Sequence, residues 1–199
     1  MLKFWSVSGK EMASMPVDEM KSLSTVKSQL VPHCGHSRFQ QALVHDGRVL
    51  DNTARFDSPV DVQVVILPYA TTSQNDADQL ARVAEIGQTT RVEEWLSRPQ
   101  NPNLFNRYGA SPLGLACATD RLEVARLLLE AFADSNAYFD VGIYRRPPLG
   151  ASLSLGSRPV TKNIVAALLQ SRANPDLPDL CVGGEQIRKF TPGSCAAFG

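Results

Sequence analysis

"GASPLGLACATDRLEVARLLLEAFADSN", residues 109–136, reads as a turn, a short helix, a second turn and a second helix. Ser111 can accept a hydrogen bond from an orphan N–H of the first turn, and Pro112 suits the first helical position. Leu113, Ala116 and Cys117 then share one narrow face. After Thr119 and Asp120, the apolar Val124, Leu127 and Leu128 recur at helical spacing, with Glu123, Arg126 and Glu130 on the other side. Ala116 and Ala118 let a neighbouring helix approach closely, whereas Leu127 to Leu129 is too apolar to face water all round. Neither helix can bury its stripe alone, so the pair requires neighbours of its own kind.

Those neighbours are present in the chain. "GQTTRVEEWLSRPQNPN" ends at Asn103, and the matching Asn of "DRLEVARLLLEAFADSN" is Asn136, 33 residues later. The same offset carries Trp95 and Leu96 onto Leu128 and Leu129. Downstream, "PPLGAS" at 147–152 repeats "SPLGLA", and "IVAALLQSRANPD" at 164–176 repeats "VARLLLEAFADSN", although Asn136 to Asp176 spans 40 residues. The excess falls partly in "YFDVGIYRR" and partly between the helices in "SLSLGSRPVTKN". "FTPGSCAA", near the end, is a fragment of a further unit.

A period, a turn motif and a helix pattern coincide, and in this the chain resembles the ankyrin repeat, with Ser111 and Gly114 standing where that family usually carries Thr and His. The resemblance covers about residues 76–198, and an unrelated helical bundle is the alternative. It implies units at about 76–103, 104–136 and 137–176, and a partial or capping unit at 177–199, each stacked on the next. The polar "NDADQLARVAEIG" opens the first unit in place of a hairpin, as a cap would. At the other end, Leu168 and Leu169 are left thinly covered, which implies either an atypical cap drawn from "CVGGEQIRKFTPGSCAAFG" or a truncated chain.

A different pattern precedes these repeats. At "YATTSQNDADQ", residues 69–79, a β-rich stretch gives way to small polar residues and then to helical periodicity, which places a boundary near 74 and domains at 1–72 and 73–199. In the first of these, "LKFWSV" and "EMASMPV" flank "SGK" as a hairpin, with Gly9 free to take positive φ. Leu23, Val26 and Leu30 form one stripe of a helix from about Leu23 to Cys34 that Gly35 ends. "QALVH" and "VQVVIL" are strands, with a "DG" turn at 46 and 47 between them. One helix crossing a mixed sheet of four or five strands is the β-grasp arrangement, and the fold class of the whole chain is α+β.

"TVKSQL", then Gly35, "QQALVHDGRVLD" and the closing "VQVVILPY" resemble ubiquitin in order and nearly in spacing, with a shorter loop after Leu50. Another small α+β domain is the alternative. The resemblance, over residues 1–69, implies an apolar protein-binding patch on the sheet. Val44 and Val65 match two of its members, while Ser8 and Gln63 replace the others and make it smaller and more polar. The strand ends in "LPYATTS" with no Gly-Gly terminus and the chain continues, which excludes conjugation through this tail and implies a built-in ubiquitin-like module.

Composition narrows the function classes. Twenty Lys plus Arg stand against 20 Asp plus Glu, seven of each sign in residues 1–72, so no basic surface calls for nucleic acid or acidic lipid. Cys34, Cys117, Cys181 and Cys195 show no CxxC spacing and no secretory signal precedes them, which favours reduced thiols and a cytoplasmic setting. "VQVVILPYA" is too short to span a bilayer. "HCGH", with His33, Cys34 and His36, has the residue types of a thiolate nucleophile or a zinc site. Adjacent His and Cys at a helix end diverge, no second cluster completes four ligands, and no phosphate-cradling glycine motif occurs. The expectation is therefore a non-enzymatic adaptor with no cofactor and another protein as its partner.

In ankyrin families partners lie on the concave side, against hairpin tips and inner helices. On this chain the resemblance implies Phe105, Arg107 and Tyr108 in one hairpin and Tyr138, Asp140, Tyr144 and Arg145 in the next. Each could equally be a packing residue. A rival expectation is a ubiquitin–proteasome pathway factor that docks through Val44 and Val65 and holds a client on the repeats.

Overall fold

The computed structural model describes residues 1–17, 22–51, 54–56, 58–156, 158–183 and 186–190, with backbone alone for 181–183 and 186–190. The chain is a mixed α/β protein, a strand-rich sheet followed by helices, and it divides into compact units at Met1–Ala70 and Thr71–Gly199.

In the first unit, strands β1 (Leu2–Ser6), β2 (Glu11–Met15), β3 (Gln41–His45), β4 (Arg48–Val49) and β5 (Asp61–Ile66) form one sheet in the order β2-β1-β5-β3-β4. The central pair β1 and β5 is parallel and the other pairs are antiparallel. Helix α1 (Leu23–Cys34) starts where Ser22 accepts a hydrogen bond from the Thr25 N–H, and it stops at Gly35, whose φ of 70° is left-handed. Its expected stripe, Leu23, Val26 and Leu30, is buried against Leu2, Phe4, Leu43, Val62 and Val64. Strand alternation supplies the sheet's half of this core, since Phe4, Val62 and Val64 point one way and Trp5, Gln63 and Val65 the other.

Helices α2 (Gln74–Ile86) and α3 (Thr89–Leu96), α4 (Pro112–Ala118) and α5 (Leu122–Glu130), and α6 (Pro148–Leu153) and α7 (Pro159–Gln170) make three pairs in the second unit. First helices pack on first helices, α2 on α4 and α4 on α6; second helices do likewise, α3 on α5 and α5 on α7. The opening stretch behaves as read: Ser111 accepts from the Gly114 N–H at 3.0 Å, and Leu113, Ala116, Cys117, Val124 and Leu128 are buried. Burial corrects one register. Val92 and Leu96 are the buried residues of α3, as Val124 and Leu128 are of α5, so Leu96 corresponds to Leu128 and Trp95 is only half-buried. The offset is one residue shorter in the helices than in the loops.

The loops carry a recurring clamp. Asn103 donates from Nδ2 to the Phe132 carbonyl at 3.3 Å and accepts the Asp134 N–H at 2.7 Å. Asn136 does the same one unit on, to the Arg172 carbonyl at 3.2 Å and from the Asn174 N–H at 2.7 Å. Phe132 and Arg172 present those carbonyls because both are left-handed, with φ of 66° and 63°. The third position in this series is Asp176, a carboxylate that accepts but cannot donate.

Strands β6 (Phe139–Val141) and β7 (Tyr144–Arg146) form the expected hairpin, closed by Gly142 and Ile143. They continue into β8 (Asp179–Gly183) and β9 (Gln186–Phe190) in a four-stranded antiparallel sheet. The corresponding stretch of the preceding unit, "NLFNRYG", is a tight turn with no strands, in which Asn106 Oδ1 accepts the N–H groups of Tyr108 and Ala110. Of the expected closing unit, residues 191–199 with Cys195 lie outside the described residues, as does Ser157 of the insertion.

Candidate functional site

Two glycines position the hairpins over the first helices. Gly114, in α4, lies directly under the Phe139 ring, and a Cβ there would overlap it. Gly150, at the same place in α6, lies under the Asp179 carboxylate. A side chain reaching back from a following strand thus fills the space over each glycine. Phe139 is fully buried with Ala110 and Ala151, and Leu115 and Ala118 pack around them. The base of the hairpin is fixed in this way, and its tip stands clear.

At the tips the described side chains divide into bound and open. Arg107 is bound: its N–H meets Asp78 Oδ1 at 2.8 Å, and its Nε meets Oδ2 at 2.6 Å. Hydrogen bonds from Arg107 hold the Asp78 carboxyl below the usual carboxylate range, and the same contact raises the guanidinium. Tyr138 is half-buried and donates its hydroxyl to the Pro178 carbonyl at 2.8 Å, and burial pushes its pKa up. Tyr144 lies under the Arg146 guanidinium, 4.3 Å from the ring centroid. Asp140 and Arg145 are exposed and face each other across the hairpin at 3.7 Å. Phe105 is partly open, its carbonyl held by Gln74 at 3.1 Å, and Tyr108 is 76% exposed.

Two open residues escape a reading by residue type, Val141 and Ile143, the latter 60% exposed. The usable signal was an isoleucine beside Gly142 in a two-residue turn, where polar residues are usual. The Asp140 N–H donates to the Gly109 carbonyl at 3.0 Å, which sets this tip beside the turn that carries Tyr108. Beneath Tyr108 an open cavity of about 380 Å³ is lined by Asn75, Gln79, Arg82, Glu85 and Arg107 among others.

The first unit has its own open face. Cross-strand register sets Trp5 beside Gln63, Gln63 beside Val44, and Val44 beside Val49, all on the side of the sheet away from the core. Val65 stands opposite Ala42 on that same face. Trp5 and Val49, the latter 70% exposed, therefore enlarge the patch expected from Val44 and Val65. Trp5 is anchored by its indole N–H on Asp61 at 2.9 Å.

The thiols are placed as follows. Cys34 is half-buried with its Sγ directed at the His36 carbonyl at 3.5 Å, while the His36 ring meets the Cys34 carbonyl at 2.8 Å. His33 is exposed, and no group of three metal-ligating side chains occurs among the described residues. Burial pushes the Cys117 thiol up to about 12, which keeps it protonated.

The ankyrin-repeat family profile matches residues 108–138. No curated protein gives a significant match to the chain. An ankyrin repeat indicates a role in protein–protein interaction, since stacked repeats of this kind present extended surfaces to partners. No helix among the described residues is long and apolar enough to cross a membrane.

Proposed function

We propose that the chain is a non-catalytic, cytoplasmic adaptor in which a ubiquitin-like β-grasp domain, residues 1–72, precedes a short ankyrin-repeat stack, residues 73–199, that holds a partner protein on its hairpin tips. The observation that carries this reading is the exposure of Tyr108, Val141 and Ile143 on adjoining tips whose bases are fixed by buried Phe139 and by Asp78. A rigid base with large apolar side chains at its ends suits recognition, because aromatic and aliphatic anchors lose little freedom on binding. Element order and sheet register in the first unit support the ubiquitin-like assignment.

Arg107 and Tyr138 are poor probes of this surface, since both are engaged within the unit. The test uses Tyr108→Ser with Ile143→Ser in the full chain. Quantitative affinity capture from cell extract should retrieve partners with the wild type that the double variant loses by tenfold or more. Equal capture by both proteins would remove the tips from the function.

A second reading is favoured by the contiguous outward face of Trp5, Val44, Val49 and Val65. In it the sheet docks on a component of the ubiquitin–proteasome machinery and the repeats hold a client. Val44→Asp should then abolish capture while the tip variant retains it.

A further inference from the structure

We propose that the hairpin tips select an uncharged, apolar peptide segment of the partner, bound with little dependence on salt. The inference rests on the protein-binding role proposed above and names the chemistry of what is bound.

Among the described side chains, charge at the two tips is matched within the unit. Arg107 is closed onto Asp78 through its backbone N–H and its guanidinium, so the most prominent cation at the first tip is already neutralised. At the second tip Arg145 lies 3.7 Å from Asp140. On α2, Arg82 and Glu85 stand one turn apart with opposite sign beside the cavity under Tyr108. Among the described side chains, the tip cations Arg107 and Arg145 thus each stand beside an anion, which leaves these two tips little unmatched charge to draw in a charged segment. A basic or acidic partner would have to displace a contact already made, which gives it no advantage over a neutral one.

Among the described residues, the large side chains most open at the tips are aromatic or aliphatic, namely Tyr108, Ile143, Phe105 and Val141. Tyr108, Val141 and Ile143 project from adjoining turns joined by the Asp140-to-Gly109 hydrogen bond, and half-buried Leu115 and Ala118 lie on the helix that supports them. Water is a poor partner for these groups, and an apolar segment laid across them removes that surface from water without disturbing either ion pair. Ionic strength acts on unmatched charge and leaves such burial nearly unchanged.

A random peptide library displayed on phage, panned against the immobilised full chain and counter-selected on the Tyr108→Ser, Ile143→Ser chain, tests this. Both replaced residues are exposed, so the variant's melting midpoint should stay within about 2 °C of the wild type. Retained peptides should be rich in apolar and aromatic residues and lack net charge. A labelled synthetic copy of the strongest should change its Kd by less than about threefold between about 50 and about 500 mM sodium chloride. It should bind the variant at least tenfold more weakly. Retention of charged peptides, or a Kd that weakens more than tenfold over that salt range, overturns the inference and leaves the binding role standing. If no peptide distinguishes the wild type from the variant, the tips are not a binding surface, and the role proposed above falls with the inference.

Discussion

Gly114 sits under the Phe139 ring with no room for a side chain, and Gly150 sits likewise under Asp179. In a free helix alanine would be the better residue by about 1 kcal/mol. Here its methyl would have to displace a buried aromatic ring, which typically costs about 1–3 kcal/mol. Packing therefore wins, and Gly114→Ala should lower stability in urea unfolding; a stabilised variant would show that Phe139 yields easily. Two carboxylates in the same unit respond to pH with opposite sign. Asp78 is held low by Arg107, so its contribution is present above the ordinary carboxylate pKa and is lost as pH falls through its depressed folded value. Asp179 is raised by burial, against the opposing pull of Arg146. Its contribution is present below the ordinary value and is lost as pH rises through the raised one. Asp78→Asn should therefore destabilise at about pH 7 and become silent in acid, whereas Asp179→Asn should stabilise at about pH 7 with the gain vanishing near pH 4. Urea midpoints of both variants across that range decide the signs.

The helix pairs hold to one another by two means, a buried leucine in each second helix and an asparagine clamp in each loop. Leu96, Leu128 and Leu168 are fully buried at corresponding places. Leu128 has helices on both sides, α3 and α7 against α5, so Leu128→Ala should cost about 2–5 kcal/mol through the cavity it leaves. A loss below about 1 kcal/mol would take Leu128 out of the inter-pair core. Asn136 joins its loop to the next by one donated and one accepted hydrogen bond. Asn136→Ala leaves the Arg172 carbonyl and Asn174 N–H without these partners and should cost about 1–3 kcal/mol. Asn136→Asp keeps the acceptor and should lose less, which differential scanning calorimetry can rank. Leu169, 47% exposed at the last pair, is what remains when no further helix follows among the described residues.

Each compact unit has a core drawn from its own residues. In the first, every buried member from Leu2 to Val64 belongs to Met1–Ala70. The best place to divide the chain is between Ala70 and Thr71. Thr72 is hydrogen-bonded to Gln100, and Ser73 caps α2 with Asp76 in a reciprocal pair, so a cut near residue 74 would strip the second unit of its helix start. Residues 1–70 alone should give a dispersed amide spectrum and a single cooperative unfolding transition, since a unit with its own core can fold alone. A collapsed spectrum for that fragment beside a dispersed one for the full chain would show that the first unit needs the second.

Period, read from Leu23, Val26 and Leu30 and from the recurrence of "PLG" and of loop asparagines, determined the helices and the pairing of helix with helix. These are local properties, set by which side chains share a face, whereas strands β8 and β9, in the stretch read as a partial or capping repeat, were not legible. Register and partnership were decided by the tertiary structure. That Leu96 rather than Trp95 matches Leu128 follows from which side of α3 meets α5. The binding candidates sorted themselves the same way: Arg107 was claimed by Asp78, 29 residues earlier, and Tyr138 by Pro178, 40 residues later. Residue type told that these side chains could anchor a partner. Only the fold, by bringing distant donors and acceptors within reach, settled that they were already engaged, left the candidates Phe105 and Tyr108 open, and added Val141 and Ile143 to them.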